Sequence, residues 1–327
     1  MGFHSWILVI SMQPDYVIYT ENLTKQYANG VYALRGVTLE IEKGDCVGYL
    51  GPNGSGKTTT LKILTNLIRP TSGHAYIKGI DVNREPERAL RYIGALIEVP
   101  GMYDYLTPHD MLSYQGAVCG MNKKAIKNRI ETILSQVKLS DWEYAKIRSF
   151  STGMVRRLVI ASAMFHNPEI LILDEPVLGL DPSGMKDIRD VIKRLQRSEK
   201  TILISSHLLY EVNEICDRVI FLDKGKVLAY DTIDKLRKRT HFRRIQIEFL
   251  KPLTKEDVEK IRAIDKVINI DVKKSSVKIR YKGKPDTSAK ILKELFVNGF
   301  DIISYTPESA SLEDVYASIF GKDTEVA

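Results

Sequence analysis

Residues 51–58, GPNGSGKT, fit the spacing G-x-x-x-x-G-K-[ST], which suits the holding of phosphate groups. Gly51, Gly54 and Gly56 let the main chain turn tightly enough for successive N–H groups to face one anion, with Pro52, Asn53 and Ser55 between them. Lys57 is spaced to reach β- and γ-phosphates, the Thr58 hydroxyl to ligate Mg2+, and Thr59 to bond an α-phosphate. A second stretch, ILILDEP, ends an apolar run on Asp174 and Glu175. Of two adjacent carboxylates, one can hold the shell of a metal ion while the other orients and deprotonates a water. Asp174 fits the first role and Glu175 the second. A third stretch, LISSHLL, ends another apolar run on His207. A lone histidine is more often structural than chemical. Beside a γ-phosphate pocket it would contact that phosphate and hold the water. GLDP, at 179–182, is by itself only a turn signal.

These residues need strands to carry them. CVGYL before the glycine-rich loop reads as a strand, and TTLKILTNLI after it as a helix, whose N-terminus adds partial positive charge. EILILDE and TILISSH are short, β-branched and almost wholly apolar, as strands buried on both faces are. VIYTENLTKQY and VTLEIEKG have period-two character, and RVIFLDKGKVLAYD reads as a hairpin turning at Asp223-Lys224-Gly225. Strands alternating with helices predict an α/β layer structure with a largely parallel sheet over 15–230. Between about 100 and 162 the strand signals give way to helical spacing, which predicts an inserted helical subdomain. IDKLRKRTHFRR is polar and basic and suits a linker or an exposed helix end. Beyond it, strand and helix patterns follow in the order β-α-β-β-α-β with one more helix. This predicts a small α+β, ferredoxin-like domain over 231–327.

Together the motifs resemble the ATPase subunits of ABC transporters, a P-loop NTPase family. The glycine-rich loop, Asp174-Glu175, GLDP and His207 stand in that family's order and approximate spacing, and the resemblance covers about 16–230. It implies ATP as substrate, Mg2+ as cofactor, a second ATPase subunit, and an integral-membrane permease as partner. Tyr27, in LTKQYANG, takes the place of the adenine-stacking aromatic, since a flat ring offers any base a π-surface. FSTGM, at 150–154, stands where the family carries Leu-Ser-Gly-Gly-Gln. Ser151 and Gly153 are kept, and the resemblance implies that they touch the γ-phosphate bound by the opposite subunit. Thr152 and Met154 depart from the pattern. Thr152 adds a Cβ where the main chain comes close, which would weaken closure, but the parts that make the contact remain, and retained function is the expectation. Asp181 would help couple the two sites. Glu98 replaces the family's usual Gln in the loop that ligates Mg2+, and a carboxylate is itself a good oxygen ligand. The wording of that loop, YIGALIEVPGMYDYLT, is similar to ATPase subunits of bacitracin- and lantibiotic-resistance exporters. SLEDVYASIFG near the end is similar to their C-terminal extensions, and no catalytic constellation is visible there.

Composition narrows the setting. The chain has 327 residues, 44% hydrophobic, with a formal net charge of +7, which suits one large and one small domain and an anionic partner without choosing among such partners. Cys46, Cys119 and Cys216 form no CxxC pair, so a zinc site or disulfide framework is not expected and a reducing cytoplasm is the simplest home. The apolar start, residues 6–10, is far shorter than the roughly 20 residues of a membrane span. Residues 1–14 read as a disordered leader, or as sequence ahead of a start at Met12. The predicted location is therefore cytoplasmic and peripheral, at the inner face of a membrane whose spanning helices belong to the permease. A soluble ABC ATPase acting on nucleic acid or ribosomes is the competing reading, kept alive by the basic stretch LRKRTHFRR. The single ATPase domain and the lack of sustained heptads weigh against it, so nucleic acid is the less favoured partner.

Overall fold

The computed structural model describes residues 16–98 and 101–321, and the chain divides into two compact units at Tyr230/Asp231. The expectation of a leader over 1–14 lies outside the described residues. The elements up to the division are β1 (Tyr16–Gln26), β2 (Tyr32–Glu42), β3 (Cys46–Leu50), α1 (Lys57–Leu64), β4 (Ser72–Ile77), β5 (Ile80–Asp81), α2 (Pro86–Leu90) and β6 (Ile93–Leu96). Then come α3 (Pro108–Val118), α4 (Lys123–Gln136), α5 (Thr152–Met164), β7 (Ile170–Asp174), α6 (Pro182–Arg197), β8 (Thr201–Ser206), α7 (Leu209–Ile215), β9 (Arg218–Asp223) and β10 (Lys226–Thr232).

Two sheets build the first unit. The larger has the order β10-β9-β3-β8-β7-β6, and β3, β8, β7, β6 and β9 pair in parallel. Every residue of β3, β7 and β8 is buried, which explains why these strands read as unbroken apolar runs. β9 and β10 meet at Lys224-Gly225, both at positive φ, as a two-residue hairpin of the primed type requires. The second sheet, β2-β1-β4-β5, is antiparallel throughout. Its independence from the parallel sheet is not evident in the sequence, because β4 (SGHAYI) mixes polar and apolar residues. One core joins the two sheets. Ile18, Leu23, Leu39 and Ile41 meet Val47, Tyr49, Ile172 and Leu203, with Leu61, Ile63 and Leu64 of α1 between them.

From 101 to 164 the regular elements are helical. α3 opens with Pro108 at its first turn and a reciprocal Thr107–Asp110 capping box. α4 turns Ile126, Ile130, Ile133 and Leu134 inward at i, i+4, i+7 and i+8. Gln115 and Ser162 tie α3 to α5 through their side chains, at 2.8 Å.

The second unit holds α8 (Ile233–Arg239), β11 (Phe242–Phe249), α9 (Lys255–Arg262), β12 (Val267–Lys273), β13 (Ser276–Lys282), α10 (Pro285–Val297), β14 (Ile302–Glu308) and α11 (Leu312–Phe320). Its sheet order, β12-β13-β11-β14, is antiparallel and gives the split βαβ arrangement. Ile245, Ile247, Val277 and Ile279 form its core with Ile261, Ile291 and Leu295 of α9 and α10. The basic stretch that suited a linker or helix end is helix α8. Thr232 caps it, Ile233 and Leu236 are buried, and Asp231 pairs with Lys235 and Arg239 at 3.4 and 3.0 Å. Among the described residues, no helix is long and apolar enough to cross a membrane.

Candidate functional site

Because β3, β7 and β8 are neighbouring parallel strands, their C-terminal ends lie on one edge of the sheet, where open α/β sheets form ligand crevices. β3 delivers the glycine-rich loop there, β7 delivers Asp174 and Glu175, and β8 delivers His207. A pocket of about 330 Å³ is lined by Asn53, Gly54, Ser55, Gly56, Lys57, Thr58, Thr59, Glu175, Leu178 and His207.

The loop owes its shape to absent side chains. Gly56, at φ 110°, takes a conformation that side chains disfavour, and a Cβ there would lie 2.5 Å from the Ala33 carbonyl oxygen. A Cβ on Gly51 would lie 2.1 Å from the Leu222 carbonyl oxygen. Lys57 closes the loop on itself, its ammonium donating to the carbonyls of Gly51 at 2.7 Å and Pro52 at 3.2 Å. Burial pushes this lysine below its ordinary pKa, while Glu175 and Asp174 pull it back up. Ser55 Oγ is buried without a hydrogen-bond partner among the described residues. A cationic loop with an orphaned hydroxyl and no room for a side chain at Gly51 or Gly56 fits a phosphate group.

Asp174 is buried and accepts from Thr58 Oγ1 at 3.0 Å and from the hydroxyl of Ser205. This brings together two of the three residues expected at a metal ion, Thr58 and Asp174, without Glu98. Glu175 sits at φ 45°, a left-handed conformation uncommon for a residue with a side chain. Its N–H reaches both the carbonyl of Ser205 at 3.2 Å and its hydroxyl at 3.0 Å. Its carboxylate Oε2 is 2.9 Å from His207 Nδ1. Tyr27, just past β1 and exposed, has its hydroxyl 3.3 Å from Thr59 Oγ1, so its ring flanks the loop.

Other expected residues lie apart from this pocket. Glu98, at φ 58°, is exposed, and its carboxylate meets Lys62 of α1 at 2.6 Å. Ser151 caps α5, accepting from the Met154 N–H at 3.3 Å. Asp181 caps α6, accepting from the Gly184 N–H at 3.1 Å. A Cβ on Gly153 would stand 3.9 Å from Gly184 Cα, so the two caps adjoin each other. None of Ser151, Gly153 and Asp181 lines the pocket.

Two contributors escape a reading of the sequence. Ser205 touches both Asp174 and Glu175, yet a serine in LISSHLL carries no signal of its own. Arg156 is buried in α5 and donates to the carbonyl of Leu178, a pocket residue, at 3.1 Å. Burial lowers its pKa, with Asp174 pulling the other way. An arginine inside the apolar run VRRLVIASAM is the one hint that the sequence offers.

The ABC transporter family model matches residues 34–178, and the model of the C-terminal domain of DrrA1-3-like ATP-binding proteins matches residues 232–319. The bacitracin transport ATP-binding protein BcrA of Bacillus licheniformis is 36% identical over 94% of this chain and 98% of its own. The linearmycin resistance ATP-binding protein LnrL of Bacillus subtilis is 29% identical over 94% of this chain and 99% of its own. Among solved structures, the dimeric bacterial ABC transporter cassette MJ0796 superposes with a TM-score of 0.60 at 28% identity, over 66% of this chain and 98% of that one. A post-hydrolysis form of the same cassette is bound to ADP and phosphate. The fold expectation, a P-loop NTPase with a small α+β domain after it, therefore holds. The chain belongs to the ATP-binding proteins of ABC transporters, nucleotide-binding ATPases coupled to transport.

Proposed function

We propose that the pocket at the ends of β3, β7 and β8 hydrolyses ATP with Mg2+ to drive an export-type permease. One observation carries the reading. Lys57, Glu175 and His207 line one pocket, and the two that would act on water are within 2.9 Å of each other. The main-chain N–H groups of the loop and the Lys57 ammonium bind the β- and γ-phosphates. Thr59 and the Tyr27 ring orient the nucleoside end. Glu175 accepts a proton from the attacking water, and His207 holds both that carboxylate and the γ-phosphate. Thr58 and Asp174 would hold Mg2+, which when bound neutralises charge on the phosphate oxygens. Glu98 joins them only after leaving Lys62.

Ser151 and Gly153 serve a nucleotide held by a second copy of the chain or by a different ATPase subunit. The exposure of Ser151, and the family's dimeric cassette, support that reading. Asp181, beside them, couples the two sites. The chain would work as a peripheral protein at the cytoplasmic face of the membrane. The likeness to BcrA and LnrL supports export of antibiotic-like cargo, and the Glu98 loop with the helices that follow is the surface that meets the permease.

The test is phosphate release by the purified full chain. Mg2+-dependent turnover that vanishes in Lys57→Ala is the expected result. Turnover indifferent to Lys57, or tight salt-sensitive RNA binding that survives without nucleotide, contradicts it.

A further inference from the structure

Ser205 is fully buried on β8, and its cross-strand neighbour on β7 is Asp174. Its hydroxyl proton goes to one carboxylate oxygen of Asp174, while Ser205 Oγ itself accepts the N–H of Glu175 at 3.0 Å. A hydroxyl has one proton to give and two lone pairs, so both bonds form together. The next residue behaves differently. Ser206 Oγ accepts from Leu208 N–H at 2.9 Å, a local turn bond within its own strand end.

We infer that Ser205 is a positioning residue for hydrolysis, setting the two adjacent carboxylates in place with a single hydroxyl. This inference rests on the role proposed above for Glu175. Glu175 needs such a hold because its left-handed backbone is not self-sustaining. Two acceptors of Ser205, the carbonyl and the hydroxyl, receive its amide. Two residues further on, His207 meets the far end of the same side chain. Ser205 therefore fixes where the Glu175 main chain starts, and His207 where its carboxylate ends. Asp174 is held likewise, with Thr58 as its other hydroxyl donor. Without the Ser205 hydroxyl, Glu175 and Asp174 keep their chemistry and lose their aim.

The experiment uses the full chain with Ser205→Ala, Ser205→Cys and Ser205→Thr. Alanine removes the hydroxyl. Cysteine nearly keeps the volume but is a weak donor, and threonine keeps the hydroxyl. The expected result is a kcat about ten- to a hundredfold lower in the Ala and Cys variants, with the KM for ATP within about twofold of wild type and most of kcat kept in Thr. Amide exchange of the peptide spanning 174–178 rises in Ala and Cys and stays low in Thr. Wild-type turnover and exchange in the Cys variant would reduce Ser205 to a packing residue and overturn the inference. So would a raised KM with unchanged kcat. A wild-type chain that never turns over ATP sinks the reading of Glu175 instead, and the exchange measurement still decides whether Ser205 holds the two carboxylates.

Discussion

His207 Nδ1 stands 2.9 Å from Glu175 Oε2, joining residues that follow the ends of two adjacent parallel strands. The contact ties the group that would take a proton from water to the group that would watch the γ-phosphate. His207→Ala leaves Glu175 without its side-chain partner, while the phosphate loop is untouched. Steady-state kinetics should show kcat down by about a hundredfold or more, with ATP affinity little changed.

Gly56 has no room for a side chain. Ala at φ 110° would be strained, and its Cβ would press on the Ala33 carbonyl. Gly56→Ala should lose about 2 kcal/mol of stability in a denaturant titration and bind nucleotide far more weakly. Gly54→Ala, also at positive φ but with open space around its Cβ, should cost less.

The residues that meet at the pocket are far more legible in the sequence than the scaffold around them. Residues 51–58, Asp174, Glu175 and His207 each stand at a loop or strand end, where a short motif fixes the geometry. The buried strands β3, β7 and β8 announce themselves because parallel strands covered on both faces must be apolar. The antiparallel sheet was hidden, since β4 carries Ser72, Gly73 and His74 in half its length. α8 reads only as a linker or a helix end because just Ile233 and Leu236 are buried, and their spacing is too brief to outweigh four basic residues. Ser205 was invisible for a different reason. Its role comes from a cross-strand partner, and no local spacing records that.

In the second unit, Asp314 of α11 is fully buried, and its two oxygens approach Arg244 Nε at 2.7 Å and Arg280 Nε at 2.6 Å. It also closes a capping box with Ser311. The Arg280 guanidinium further rests 4.2 Å from the centre of the Phe242 ring. This gives the LEDVY stretch a structural task where the sequence showed no catalytic one. Asp314→Asn keeps the shape but strands two guanidinium groups, and should destabilise this unit by roughly 3 kcal/mol, read by denaturant unfolding.

His166 gives a pH dependence of stability. Burial lowers its pKa below 6.5, and Arg129 and Lys200 push the same way, against its bond to the Ile93 carbonyl. The folded chain thus holds the ring neutral where the unfolded chain would protonate it. Its contribution is complete above about pH 6.5 and is lost as pH falls toward the lower folded value. Thermal melts should show a midpoint falling below that pH, and His166→Gln should flatten part of the fall.

The central claim is that the pocket and the Ser151–Gly153 stretch, separate in one copy, complete each other across two subunits. The most direct test is the solution mass of Glu175→Gln with and without Mg-ATP, since this change should hold ATP unhydrolysed. A shift from monomer to dimer that requires ATP is the predicted result, and it would show that Thr152 does not prevent closure. A chain that binds ATP and stays monomeric at every concentration would contradict the self-paired ATPase and leave a site completed by a different subunit.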